Sequence, residues 1–149
     1  MKIIVDTNII FSTLLNSNGT IGDLIFNSDK YFTFYSCSYM RYEIHNHWDK
    51  LKKISKLTDE QLQMSLSQVL AKLKFINEEL IPVKTWLAAE AITKEVDIDD
   101  TDFVALTKFL KATLWTGDKV LYRGLKRLNF KKVLNTTELL ELRTTREYL

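Results

Sequence analysis

Carboxylates close two short apolar runs of this sequence, Ile3-Ile4-Val5-Asp6 and Leu114-Trp115-Thr116-Gly117-Asp118. Four more acids, Asp97, Asp99, Asp100 and Asp102, crowd into six residues just ahead of Phe103-Val104-Ala105-Leu106. Glu43, a few residues past Ser38, adds a further candidate. Carboxylates that meet without a fixed positive partner repel one another and resist being ionised together. A hard divalent cation relieves that repulsion, and a donor set of oxygens alone suits Mg²⁺ or Mn²⁺. Such centres work most often on phosphates. Each acid also has an ordinary reading. Acids at 97–102 suit a helix N-terminus through capping and the helix dipole, and a helical Glu such as Glu43 is usually solvated. An acid directly after a buried strand is harder to dismiss, because open parallel sheets bind ligands outside the carboxyl ends of their strands.

For these acids to meet, strands must deliver them to one edge. Lys2–Val5 is a short β-branched run of the kind buried on both faces of a parallel sheet. Apolar residues at helical spacing follow over 9–15, a short helix is predicted over 21–28, and the aromatic-rich run 32–36 reads as a second strand. Ser38 opens a helical pattern that runs to about residue 53. Thr58-Asp59-Glu60-Gln61 is a capping box that starts a helix predicted to reach Phe75. Residues 80–83 read as extended around Pro82, with helices predicted over 85–95 and 100–111. A strand over 112–116, a helix over 119–127, a strand over 132–134 and a helix capped at Asn135-Thr136-Thr137-Glu138 complete the chain. This alternation predicts an α/β fold, a three-layer α/β/α sandwich with a mainly parallel central sheet. No linker or repeat interrupts it, so residues 1–149 are expected to form one domain.

Composition agrees with a soluble chain of this kind. Apolar residues make up 46% and charged residues 27% of the 149. Gly (4) and Pro (1) are too few for the many turns of an all-β sandwich or barrel. The single cysteine, Cys37, excludes an intrachain disulfide and suits a reducing cytoplasm. No apolar run approaches the roughly 18–20 residues that span a bilayer. No membrane partner is expected, and Asp6 and Asn8 interrupt what a signal peptide would need to be apolar.

The motifs together resemble the PIN-domain family of metal-dependent nucleases over nearly the whole chain. The family's first motif, a strand closing in an acid followed by Thr and Asn, matches Asp6-Thr7-Asn8. Its second acid, in the helix after the second strand, matches Glu43. Its third, an acid three residues before an apolar-apolar-Ala-Leu helix, matches Asp100 ahead of Phe103-Val104-Ala105-Leu106, with Asp97 as second choice. Its fourth, Thr-x-Asp after a strand, matches Thr116-Gly117-Asp118. The resemblance implies hydrolysis of a phosphodiester in single-stranded RNA with Mg²⁺ or Mn²⁺. Asp6, Asp100 and Asp118 would be direct or water-bridged ligands, and Glu43 a ligand or a base that orients water. Asn8 and Thr116 are candidates for holding a carboxylate or touching a phosphate, although Thr7 and Asn8 equally suit capping of the first helix. Many bacterial relatives are toxins of toxin–antitoxin pairs, which implies a small antitoxin partner; a homodimer is a further expectation.

Net charge is only +2, yet residues 119–132 hold six positive residues and no acid. Lys119, Arg123, Lys126 and Arg127 are the candidates for binding the RNA backbone, with Lys131 and Lys132 beyond them; a solvated face is the competing reading. Tyr122 and Trp115 are candidates for stacking on bases, with core packing favoured for Trp115. His45 and His47 point to different helix faces and lack further N or S ligands beyond Cys37, so zinc is rejected. Asn8 stands where a haloacid dehalogenase-type phosphatase needs a second Asp, and a receiver domain's early acidic pair and late Lys are not well placed here. The remaining rival is a PIN-like module that binds RNA or protein without catalysis.

Overall fold

In the computed structural model, which describes residues 1–147, β1 (Lys2–Val5) runs between two parallel neighbours, β2 (Thr33–Cys37) and β4 (Thr113–Trp115). β3 (Leu73–Ile76) and β5 (Val133–Leu134) extend the sheet outward, giving the parallel order β3-β2-β1-β4-β5. Ile3, Ile4 and Val5 are all 0% exposed. Successive strand residues point to opposite faces, so both faces of the sheet are covered, as the continuous β-branched run predicts. The result is the expected three-layer α/β/α sandwich. α7 (Thr101–Leu110) lies against β1, β2 and β4 and contributes Phe103, Val104, Ala105 and Leu106 to the core. α1 (Thr7–Leu15) packs against α2 (Thr20–Asn27), α3 (Ser38–Asn46), α4 (Trp48–Ser55) and α5 (Asp59–Leu70).

Local signals explain most element starts. Asp6 caps α1 by accepting the Ile9 N–H at 3.1 Å. Thr58 and Gln61 exchange both bonds of the predicted capping box at α5. Three boundaries differ from expectation. The single helix predicted from Ser38 to residue 53 divides at His47, whose ring Nδ1 meets the Glu43 carbonyl at 2.8 Å. The helix predicted to reach Phe75 stops at Leu70, and β3 takes over. Leu66, Leu70 and Leu73 continue a helical spacing, while Leu73 and Phe75 alternate with Lys72 and Lys74 at strand spacing. Pairing with β2 decides between them. Around Pro82, a short 3-10 turn (Glu78–Leu80) precedes two extended residues, and Pro82 itself starts α6 (Val83–Thr93).

α8 (Lys119–Arg127) and α9 (Thr136–Glu147) follow β4 and β5. α8 seats Gly124 against Val96, on the segment that leads to the acids at 97–102. A Cβ on Gly124 would stand 2.7 Å from Val96 Cγ1. Gly124→Ala is therefore expected to destabilise the fold by about 1–3 kcal/mol, the range for overpacking. Urea titration in chelator measures this; an unchanged midpoint would show that the contact yields freely.

Candidate active site

The strand order reverses between β1 and β4, so the crevice at the sheet's carboxyl edge opens where these two strands end. Asp6 follows β1 directly and is 3% exposed. Its backbone N–H donates to the Trp115 carbonyl at 3.3 Å, which ties it to β4. Burial pushes its carboxyl up to about 7, against hydrogen bonds from Thr116 and the Ile9 N–H, while Asp118 and Glu43 add repulsion. Asp118 starts α8, and one of its oxygens accepts the N–H groups of Val120 and Leu121 at 2.9 and 3.1 Å. Thr116 Oγ1 accepts the Asp118 N–H at 3.0 Å, so this buried hydroxyl holds the backbone of one acid and the side chain of another.

Glu43 is half-buried on α3, and Thr7 donates its hydroxyl to Glu43 Oε1 at 2.5 Å. Burial raises the Glu43 pKa, the Thr7 bond opposes that, and Asp99 and Asp97 raise it further. Asp97 and Asp100 part company. Asp97 is exposed and spends a carboxylate oxygen on the Asp99 N–H at 3.0 Å, starting the 3-10 turn Ile98–Asp100. Asp100 precedes α7 without a capping hydrogen bond from its side chain. Burial pushes Asp100 up to about 8, with Asp97, Asp6, Asp118 and Glu43 all contributing repulsion. The four candidate acids thus share one electrostatic neighbourhood. Such an oxygen-only donor set, with two members holding protons near neutrality, fits a hard divalent cation that would replace those protons.

The convergence is electrostatic rather than tight. Among the described residues, three ligand-type side chains lie within 4.8 Å of one another at Cys37, Glu78 and Asp102. There burial, and then a hydrogen bond and repulsion from Glu78, push Asp102 up to about 7; burial also raises the Cys37 thiol. Glu78 and Asp102 thus lie together over the buried Cys37 thiol. The pair extends the negative side of the crevice toward β2 and β3, where Tyr39 is likewise pushed up to about 12 by burial, Glu43, Asp99 and Asp102. Glu78 carries no sequence signal; the return of the chain along β3 places it.

Other candidates separate. Asn8 is exposed and lies with Phe11, Leu15, His47, Lys50 and Ile54 on a groove between α1 and α4. Asp6, not Thr7 or Asn8, caps α1, and Thr7 instead reaches Glu43, a link that α1 following β1 directly makes possible. Trp115 is fully buried against Phe34, with Nε1 donating to Thr136 Oγ1 at 3.1 Å, so it is core and not a stacking surface. Lys119, Arg123, Lys126 and Arg127 are exposed on α8, while Leu121, Gly124 and Leu125 face inward.

The raised carboxyls set a pH dependence with a definite sign. Between the ordinary carboxyl range near 4 and the folded values of about 7 for Asp6 and about 8 for Asp100, the folded chain binds more protons than the unfolded one. Stability in chelator is therefore expected to fall as pH rises through that window. Asp100→Asn removes one charge at constant shape and is expected to flatten the fall and to gain on the order of 1 kcal/mol near pH 8. It also loses most stabilisation by Mn²⁺, whereas Asp97→Asn keeps it. Melting curves across pH decide; parallel pH slopes for wild type and Asp100→Asn would remove Asp100 from the cluster.

A sequence model of the PIN domain matches residues 4–147. No curated protein sequence matches the chain. Among solved structures, the fold is similar to a chain of VapBC2 from Rickettsia felis bound to a DNA fragment from their promoter. That likeness has TM-score 0.69 and 19% identity, and covers 91% of this chain and 98% of the other. PAE2754 from Pyrobaculum aerophilum is similar at TM-score 0.69 and 15% identity, over 97% of this chain and 90% of that one. With its motifs spread over β1, α3, the start of α7 and the end of β4, and the match spanning nearly its whole length, the chain belongs to the PIN domain family.

Proposed function

We propose that this chain is a single-domain, metal-dependent endoribonuclease that hydrolyses phosphodiester bonds of single-stranded RNA, and that it acts in the cytoplasm as the toxin of a toxin–antitoxin pair. The observation that carries the nuclease reading is the shared field of Asp6, Glu43, Asp100 and Asp118, in which burial and mutual repulsion raise Asp6 to about 7 and Asp100 to about 8. In this reading Asp6, Asp100 and Asp118 would hold Mg²⁺ or Mn²⁺, which would supply Lewis acidity toward the phosphate. Glu43, with one oxygen fixed by Thr7, orients the attacking water and takes its proton through the other oxygen. Thr116 links the Asp6 side chain to the Asp118 backbone and so keeps the two acids in register. The likeness to a chain of VapBC2 supports the toxin part and a small antitoxin partner. A homodimer is part of the same reading.

Cleavage of a single-stranded RNA oligonucleotide by the purified chain tests the mechanism. Mg²⁺ or Mn²⁺ is expected to support it, excess chelator to stop it, and Asp6→Asn to abolish it. Cleavage that persists in chelator, in a preparation whose Asp6→Asn variant is inert, would overturn the metal requirement. Absence of cleavage alongside tight RNA binding would favour the non-catalytic module.

The exposed cations on α8 make a separate prediction. If Arg123, Lys126 and Arg127 meet phosphates, neutralising each lowers the log–log salt dependence of RNA binding by about 0.7. An unchanged slope would assign them to a solvated face.

A further inference from the structure

Beside the acid crevice lies a second cleft of opposite charge. Its volume is about 350 Å³, and it separates Asp118, Lys119 and Arg123 on one wall from Asn135, Thr136 and Thr137 on the other. Lys119 and Arg123 are exposed, and neither forms an ion pair among the described residues. Across the cleft, α9 opens with Asn135 and Glu138 exchanging hydrogen bonds at 3.0 and 2.8 Å. That exchange satisfies the N–H groups of Asn135 and Glu138 and leaves those of Thr136 and Thr137 without an acceptor among the described residues. Glu138 is already engaged by the Tyr122 hydroxyl at 2.8 Å as well as by the Asn135 N–H. Two unpaired cations and the free donors of a twelve-residue helix therefore face one space whose near wall is a crevice acid.

The surroundings of the crevice are asymmetric. Toward β2 and β3 stand Glu43, Glu78, Asp99 and Asp102, which repel a phosphate backbone. Toward β5 stands the cleft just described. We infer that this cleft binds the phosphodiester group adjoining the one that is cut, so that a single strand leaves the acid crevice across the ends of β4 and β5 toward α9. Lys119 and Arg123 neutralise that second phosphate, and the Thr136 and Thr137 N–H groups donate to its oxygens. These residues position the strand and take no part in bond breaking. The inference rests on the nuclease reading for the identity of the strand, but its geometry is tested by binding as well as by cleavage.

The experiment uses short single-stranded RNAs in which one linkage at a time is an uncharged methylphosphonate. Binding is followed by fluorescence anisotropy in chelator, and cleavage by kcat/KM in Mn²⁺. In the wild-type chain one linkage next to the cut is expected to be sensitive, its neutralisation weakening binding and kcat/KM by about tenfold, the size of one charge-assisted contact. In Lys119→Gln/Arg123→Gln that sensitivity disappears, while in the charge-matched Lys131→Gln/Lys132→Gln it persists. If every linkage counts equally in all three proteins, or if the second pair abolishes the sensitivity as fully as the first, attraction is diffuse and the cleft is not a subsite. Should the chain cut no RNA, a linkage effect in anisotropy that Lys119→Gln/Arg123→Gln alone abolishes sustains the cleft while the nuclease reading falls. Cleavage with no linkage effect does the reverse.

Discussion

A carboxylate buried at the end of a central strand sets the terms for everything around it. Asp6 leaves β1 at the point where the strand order reverses, under cover on both faces, and its side chain is almost out of water. Burial opposes its ionisation, and only two donors, the Ile9 N–H and Thr116, act in the other direction. Either a proton or a cation must complete the balance. The same strand end also launches α1, because Asp6 is its cap, so the group that stores the repulsion is also the group that turns the chain. The site cannot be removed without disturbing the turn.

The other acids are placed by caps and by one brace between helices. Asp118 caps α8, Asp97 caps a 3-10 turn, and Glu43 is braced by Thr7 from the neighbouring helix. Asp100 is the exception: it begins α7 without serving it through its side chain, and burial and four other carboxylates raise its pKa. Its carboxyl is thus the one acid of the four whose placement serves no cap or side-chain bond among the described residues.

Charge then divides the carboxyl edge. Acids accumulate toward β2 and β3, including the Glu78–Asp102 pair over Cys37, whereas cations and a free helix start face the cleft beside β5. Such a gradient, with attraction on one side and repulsion on the other, is what orients a polyanion near a negative site before any specific contact forms. A net charge of only +2 conceals this arrangement, which depends on position rather than on sum.

The sequence by itself determined the α/β class, the buried parallel strands, the capping box at Thr58, and the identity of the acids that end β1 and β4. These are legible because each is written within a few consecutive residues: a β-branched run, a capping box, an acid after a strand. Tertiary structure alone decided the rest, including that Asp6 rather than Thr7 or Asn8 caps α1. Leu73–Ile76 suits a helix or a strand equally until β2 offers a partner, and the helix from Ser38 divides at His47, where nothing in the local spacing marks a break. Spacing left Asp97 and Asp100 both open, and burial among groups distant in the chain separates them. Thr7 meets Glu43 across 36 residues, Glu78 meets Asp102 across a returning strand, and the cleft at α8 and α9 exists only because β4 and β5 are neighbours. Contacts of that range are fixed by which strands pair, and pairing is a property of the whole chain rather than of any short stretch of it.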